Sequence, residues 1–178
     1  MDAMTDADDL VTADVADLPK HAQVMYLKER VYAAFTGLAI VLVVRNGEHG
    51  AAYAFEVLLV GVVAITLAGF VSDVIAHLAV HQEFPHGHDL AIMVRAAAGA
   101  LGSLLIPLGL IGAAWADVMA LRTALLIAAF VYIGTLVVIG WLAVRNAQIS
   151  WWKKLGALVT LALLGFVVLA IQVAAHSH

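Results

Sequence analysis

The sequence of 178 residues contains no cysteine and few charged side chains. The lack of cysteine excludes disulfides, thiolate metal sites, iron–sulfur clusters and thiol catalysis. Charged residues make up 12% of the chain and hydrophobic residues 64%, whereas soluble domains carry about 25% charged residues. Too little polar sequence remains to cover a water-soluble globule of this size. We therefore expect lipid to cover much of the surface.

Long apolar runs separated by short polar segments predict an all-α fold, a polytopic bundle of about five transmembrane helices. A spanning helix needs about 20 mostly apolar residues. The predicted spans are residues 25–45, 51–80, 90–115, 117–144 and 153–175. The first apolar run, Val31 to Val44, is short. It can span only if Lys28 and Arg30 snorkel toward the lipid headgroups.

The distribution of basic residues predicts the orientation, because cytoplasmic segments of membrane proteins carry more lysine and arginine. A cytoplasmic N-terminus places most basic residues inside: Lys20, Lys28, Arg30, Arg145, Lys153 and Lys154. Only Arg45 and Arg122 then lie outside. We therefore expect an N-inside, C-outside protein. Four tryptophans at the ends of runs fit an interfacial aromatic belt: Trp115, Trp141, Trp151 and Trp152.

The chain divides into a tail and one helical domain. Residues 1–22 include six aspartates with no basic residue before Lys20, which is typical of a solvated, mostly disordered acidic tail. Residues 23–178 are expected to form a single transmembrane helical domain.

The second predicted span carries a polar stripe that could line an ion pathway. At about 100° per residue, its members fall on one face of the helix: Glu56, Thr66, Asp73, His77 and His81. Arg95, on the third span, is the expected partner of Asp73. Ionisable residues at membrane depth usually face a bundle interior or a water-filled path. An interfacial, structural placement is the alternative, because Glu56 and Asp73 are spaced to lie near the two edges of the hydrocarbon core.

The loop after the second span is rich in potential metal ligands. Imidazole and carboxylate groups suit divalent metals such as Zn or Mn, and the loop offers five of them: His81, Glu83, His86, His88 and Asp89. Their spacing matches no defined zinc signature. The sequence implies no cofactor beyond this possible metal.

Two positions predict details of the helices. Pro107 is expected to kink the third span. Asp117 is expected at the start of the fourth span, where an acidic side chain complements the helix dipole. Catalytic motifs are absent from the sequence, so no enzymatic activity is expected. The few dispersed basic residues argue against nucleic-acid binding.

Three short motifs in sequence order are similar to a known group of proteins: Arg30-Val31-Tyr32, Ala76-His77 and Ser150-Trp151. In these the chain resembles small integral membrane proteins of unknown function in actinobacteria. The resemblance implies a multi-pass protein of the bacterial inner membrane and supplies no activity or site residues.

These observations lead to three functional hypotheses. The first is a small channel or transporter for protons or cations, acting as a homo-oligomer in the lipid bilayer. Histidines on the second span would make it pH-sensitive, since imidazole changes charge near neutral pH. The second is a divalent-metal transporter or sensor that uses the loop from His81 to Asp89. The third is a non-catalytic module that binds another membrane protein.

Overall fold

A computed structural model describes residues 20–145 and the isolated residues 152, 156, 159 and 167. No strand occurs among these residues, which confirms the predicted all-α class. The long helical elements, in order, are α1 (Lys20–Asn46), α2 (Ala51–His81), α3 (Gly87–Gly102), α4 (Leu105–Trp115) and α5 (Leu121–Arg145).

Three helical segments are long and apolar enough to cross a membrane: Ala51–His81, Gly87–Trp115 and Leu121–Leu142. Their 31, 29 and 22 residues measure about 46, 44 and 33 Å as helix, against a hydrocarbon core of about 30 Å. Large apolar side chains are exposed on these segments, as expected where lipid replaces water: Val60, Leu67, Ile75, Phe130 and Val137. The chain therefore has the helices of a membrane protein.

The prediction of five spans is not supported in full. Helix α1 has 27 residues, but it is not among the three candidate spans. Adjacent charges at positions 28–30 leave only residues 31–44 as an uncharged run. The predicted fifth span, 153–175, lies outside the described residues apart from positions 156, 159 and 167.

The candidate span Gly87–Trp115 is interrupted just before Pro107. Proline lacks an N–H group, and its ring clashes with the carbonyl four residues earlier, here that of Ser103. Helix α3 ends at Gly102 and α4 begins at Leu105. The Ser103 hydroxyl donates to the Ala100 carbonyl at 2.6 Å. The helix is therefore interrupted in the turn that precedes Pro107.

Asp117 ends a helix and does not begin one, so its predicted position was wrong. Its φ of 58° is left-handed. Its N–H donates to the Ala114 carbonyl at 3.2 Å, and that of Val118 to the Ala113 carbonyl at 2.9 Å. This is the Schellman pattern that closes a helix C-terminus. Helix α5 begins four residues later, at Leu121.

The chain forms two compact units, and α1 and α2 contribute to both. In its described part, the first unit contains residues 20–33 and 62–103. There Ala22 packs against Ile92, with Met25 beside them.

The second unit contains residues 34–61 and 104–145 of the continuously described chain. Helix α4 packs against α5, and the rings of Phe55 and Trp115 lie 6.0 Å apart. Tyr132 is 1% exposed, and its ring lies directly against Gly37.

Candidate functional site

An ion pair joins α1 to α2 within the first unit. Lys28 Nζ donates to Asp73 Oδ1 at 2.8 Å. The Asp73 side chain is 13% exposed and that of Lys28 is 38% exposed. Asp73 is therefore held on the α1-facing side of a candidate spanning helix, and its charge is balanced by a lysine.

The sequence pointed to Arg95 as the partner of Asp73, and the structure shows an ion pair between Asp73 and Lys28. Arg95 is half-buried on α3, in the same unit. Both cations were expected near the same membrane surface, so charge and depth could not separate them. The choice depends on which face of α1 is turned toward α2.

Glu29 is the residue of this site that the sequence analysis missed. Its side chain is 3% exposed, and Oε1 lies 3.4 Å from Lys28 Nζ. The carboxylate occupies the space that a side chain at position 69 would need. The Cδ and Oε1 atoms of Glu29 each lie 2.8 Å from the position that a Cβ atom of residue 69 would take. Because Gly69 has no side chain, the Glu29 carboxylate can rest against α2. Three adjacent charges at positions 28–30 were the only sequence signal for it.

Thr66 extends the same face of α2. Thr66, Gly69 and Asp73 are spaced three and four residues apart, which places them within about 60° of one another around the helix. Thr66 is 2% exposed. Its hydroxyl has no hydrogen-bond partner within the described part of the chain. The predicted stripe is therefore buried at Thr66 and nearly buried at Asp73.

The two histidines of the stripe lie one helical turn apart on α2. The imidazole rings of His77 and His81 lie 4.5 Å apart, as the spacing of four residues predicts. His77 is half-buried and His81 is exposed. Glu56 belongs to the second unit, where its side chain is exposed. The structure therefore brings Thr66, Asp73 and His77 onto one face of the first unit.

A second contact fixes α1 against α3. The ring of Tyr26 lies against Gly99. Arg30 donates from Nη1 to the Tyr26 hydroxyl at 3.3 Å, and its guanidinium carbon lies 5.7 Å from the ring centroid. With Tyr26 packed against α3, the side chain of the neighbouring Glu29 is directed at α2.

The predicted metal-binding loop is exposed. His86 Nδ1 lies 3.0 Å from the Phe84 carbonyl oxygen. No three histidine, aspartate or glutamate side chains converge as metal ligands in the part of the chain that the structure describes. The loop ligands stay a prediction: His81, Glu83, His86, His88 and Asp89.

The cluster formed by Lys28, Glu29, Asp73, Thr66 and Gly69 is named the α1–α2 site below. It contains two carboxylates and one ammonium group, so one negative charge is in excess when all three are ionised. Such a site attracts cations and repels anions. No family model, curated protein or solved structure matches this chain, so the functional argument rests on this geometry.

Proposed function

We propose that this chain is a small membrane transporter or channel for protons or other small cations, and that the ions pass through the α1–α2 site. The ion pair of Lys28 and Asp73 carries the proposal. One partner lies on a candidate spanning helix and is almost removed from solvent. Charged side chains at membrane depth are costly, and they mark ion paths and proton relays.

The net negative charge of the site supports a cationic substrate. Asp73 and Glu29 supply two negative charges, and Lys28 balances one of them. The hydroxyl of Thr66 adds an oxygen that can accept a hydrogen bond or bind a cation. His77 lies one helical turn beyond Asp73, and imidazole can exchange protons near neutral pH. Transport in this account depends on pH.

The proposed membrane arrangement has five spans, N-inside and C-outside. Helix α1 supplies the first span, with Lys28 paired with Asp73 of α2. This ion pair lowers the free-energy cost of placing charged side chains in the membrane. That cost is the reason why the composition of α1 alone does not indicate a span. The segment 153–175 supplies the fifth span. The excess of basic residues on one side supports the orientation.

The proposed setting is the inner membrane of a bacterium, in line with the resemblance to small actinobacterial membrane proteins. We propose that the active form is a homo-oligomer. A chain of about five helices encloses little space for a water-filled path. Apolar surface on α2 and α5 is available to a second copy as well as to lipid.

Ion flux into proteoliposomes tests the proposal. The purified chain is reconstituted with an internal dye selective for H⁺, Na⁺ or K⁺, and a gradient of the matching cation is imposed. We expect flux of at least one cation above that of protein-free liposomes, and its loss in Asp73→Asn. The matched control is Glu48→Gln, because Glu48 is exposed in the turn after α1.

Two results would overturn the proposal. One is wild-type flux equal to that of protein-free liposomes for all three cations. The other is Asp73→Asn flux equal to wild type. Size-exclusion profiles and circular dichroism of each variant show whether it is folded, so loss of flux is not confused with loss of structure.

A further inference from the structure

Glu29 is the one charged side chain that is fully buried among the residues that the structure describes. Its Oε1 accepts no hydrogen bond from the described part of the chain, although Lys28 Nζ lies 3.4 Å away. A buried carboxylate normally accepts several hydrogen bonds, because losing water without replacement is costly. At Glu29 Oε1, one distant cation stands in their place.

We propose that Glu29 is a proton-binding site, in which its carboxyl group takes up and releases one proton while Lys28 stays paired with Asp73. The site itself is independent of transport. Its role as the place where the transported ion binds rests on the proposed function above.

The neighbouring charges define how the site holds a proton. Lys28, from the same helix, lies between Glu29 and Asp73 of α2, with its Nζ 3.4 Å from Glu29 Oε1 and 2.8 Å from Asp73 Oδ1. A nearby ammonium group stabilises a carboxylate, whereas burial and a second carboxylate disfavour its negative charge. Because Lys28 is closer to Asp73 than to Glu29, protonation of Glu29 leaves the shorter ion pair intact.

The three charged side chains of the cluster sum to one negative charge when all are ionised, and a proton neutralises it with the fewest ligands. Uptake of a proton forms one O–H bond on Glu29 and makes the cluster neutral. A metal cation needs several oxygen ligands, and one of the two carboxylates is already paired with Lys28. The lysine ammonium would also repel a metal ion. The chemistry of the site therefore favours a proton.

Gly69 sets the geometry of the site. Its missing side chain gives the Glu29 carboxylate a place against the backbone of α2, where few groups can donate a hydrogen bond. Helical N–H groups are already bonded within the helix. A protonated Glu29 in this place would have a weakly hydrogen-bonded carbonyl.

Infrared difference spectroscopy of the full chain in liposomes tests the site, and proton flux is recorded on the same samples. The wild-type minus Glu29→Gln difference should show one protonated-carboxyl band that grows as the pH is lowered and shifts in D₂O. Its frequency should exceed that of the band from the wild-type minus Glu48→Gln difference, since Glu48 is solvated. Asp73→Asn should change the pH range over which the Glu29 band grows.

The outcomes separate the site from the transport function. A band that is lost in Glu29→Gln, together with lost proton flux, supports both. A band that is lost when wild type shows no flux supports the site and overturns the transport function. Where wild type transports protons, unchanged flux in Glu29→Gln overturns the role of Glu29 in transport. No titrating band, or a band at the Glu48 frequency, overturns the site itself. If Glu29→Gln does not fold, Glu29→Asp should give a shifted band, and an unshifted band overturns it.

Discussion

The ammonium group of Lys28 lies 2.8 Å from Asp73 Oδ1 and thereby links α1 to α2 through an ion pair. The same ammonium group lies 3.4 Å from Glu29 Oε1. One lysine therefore serves two carboxylates, and its removal takes this cation away from both of them.

A double-mutant cycle of Lys28→Met and Asp73→Asn should show that the two residues are coupled. Each single variant should lower stability, because the partner charge remains in a largely apolar place. The double variant should lose less than the sum of the two. We expect a coupling energy of about 0.5–3 kcal/mol, measured by unfolding in detergent. Additivity within about 0.5 kcal/mol would contradict the ion pair.

Gly69→Ala should reduce transport with little loss of stability. The added methyl group would meet the Glu29 carboxylate, which is the end of a flexible side chain and can move away. Alanine itself stabilises a helix by up to about 1 kcal/mol relative to glycine. Thermal unfolding and proton flux are measured together.

The matched control for Gly69→Ala is Gly109→Ala. A Cβ atom at Gly109, in α4, would meet nothing within 4 Å. That variant should keep its flux and should not lose stability. Equal flux in the two variants would argue against a contact between the Glu29 carboxylate and Gly69.

Gly37→Ala should destabilise the second unit. The added methyl group would meet the ring of Tyr132, which is 1% exposed and has no room to swing aside. Overpacking of this kind costs about 1–3 kcal/mol, read as a lower unfolding temperature. Gly134→Ala on α5 is the control, because its Cβ would enter open space. If both variants unfold at the same temperature, the contact between Gly37 and the Tyr132 ring is not tight.

Cysteine labelling tests the proposed topology, and the chain has no native cysteine to interfere. Glu48→Cys and Val118→Cys lie in the turns after α1 and after α4. A membrane-impermeant maleimide should label both from outside intact cells. Phe84→Cys, in the loop after α2, should react only after permeabilisation. Labelling of Phe84→Cys and Glu48→Cys from the same side would mean that α2 does not cross.

Helices α2 and α5 could be predicted because long apolar runs with so few charges have few alternatives to a spanning helix. The shared face of Thr66, Asp73 and His77 could also be predicted, since helical periodicity alone determines that face. The helix interruption before Pro107 follows from the sequence as well, because the clash that proline causes is local. Each of these inferences depends on residues that are close together in the chain.

The remaining features depend on contacts between distant segments. Glu29 is adjacent to Lys28 and Arg30 in sequence, and nothing there distinguishes a buried carboxylate from a solvated one. Its burial follows from the missing side chain at Gly69, forty residues later. Asp117 suits both a helix start and a left-handed helix end, so its residue type could not decide between them.

The central claim is that protons or other cations cross through the α1–α2 site, and charge movement after a pH step tests it most directly. Proteoliposomes adsorbed on a solid-supported membrane are exposed to a rapid change of pH, and the transient current is recorded. Wild type and Glu48→Gln should give a current that vanishes in both Glu29→Gln and Asp73→Asn. No wild-type current, or an undiminished current in Asp73→Asn, would contradict the account.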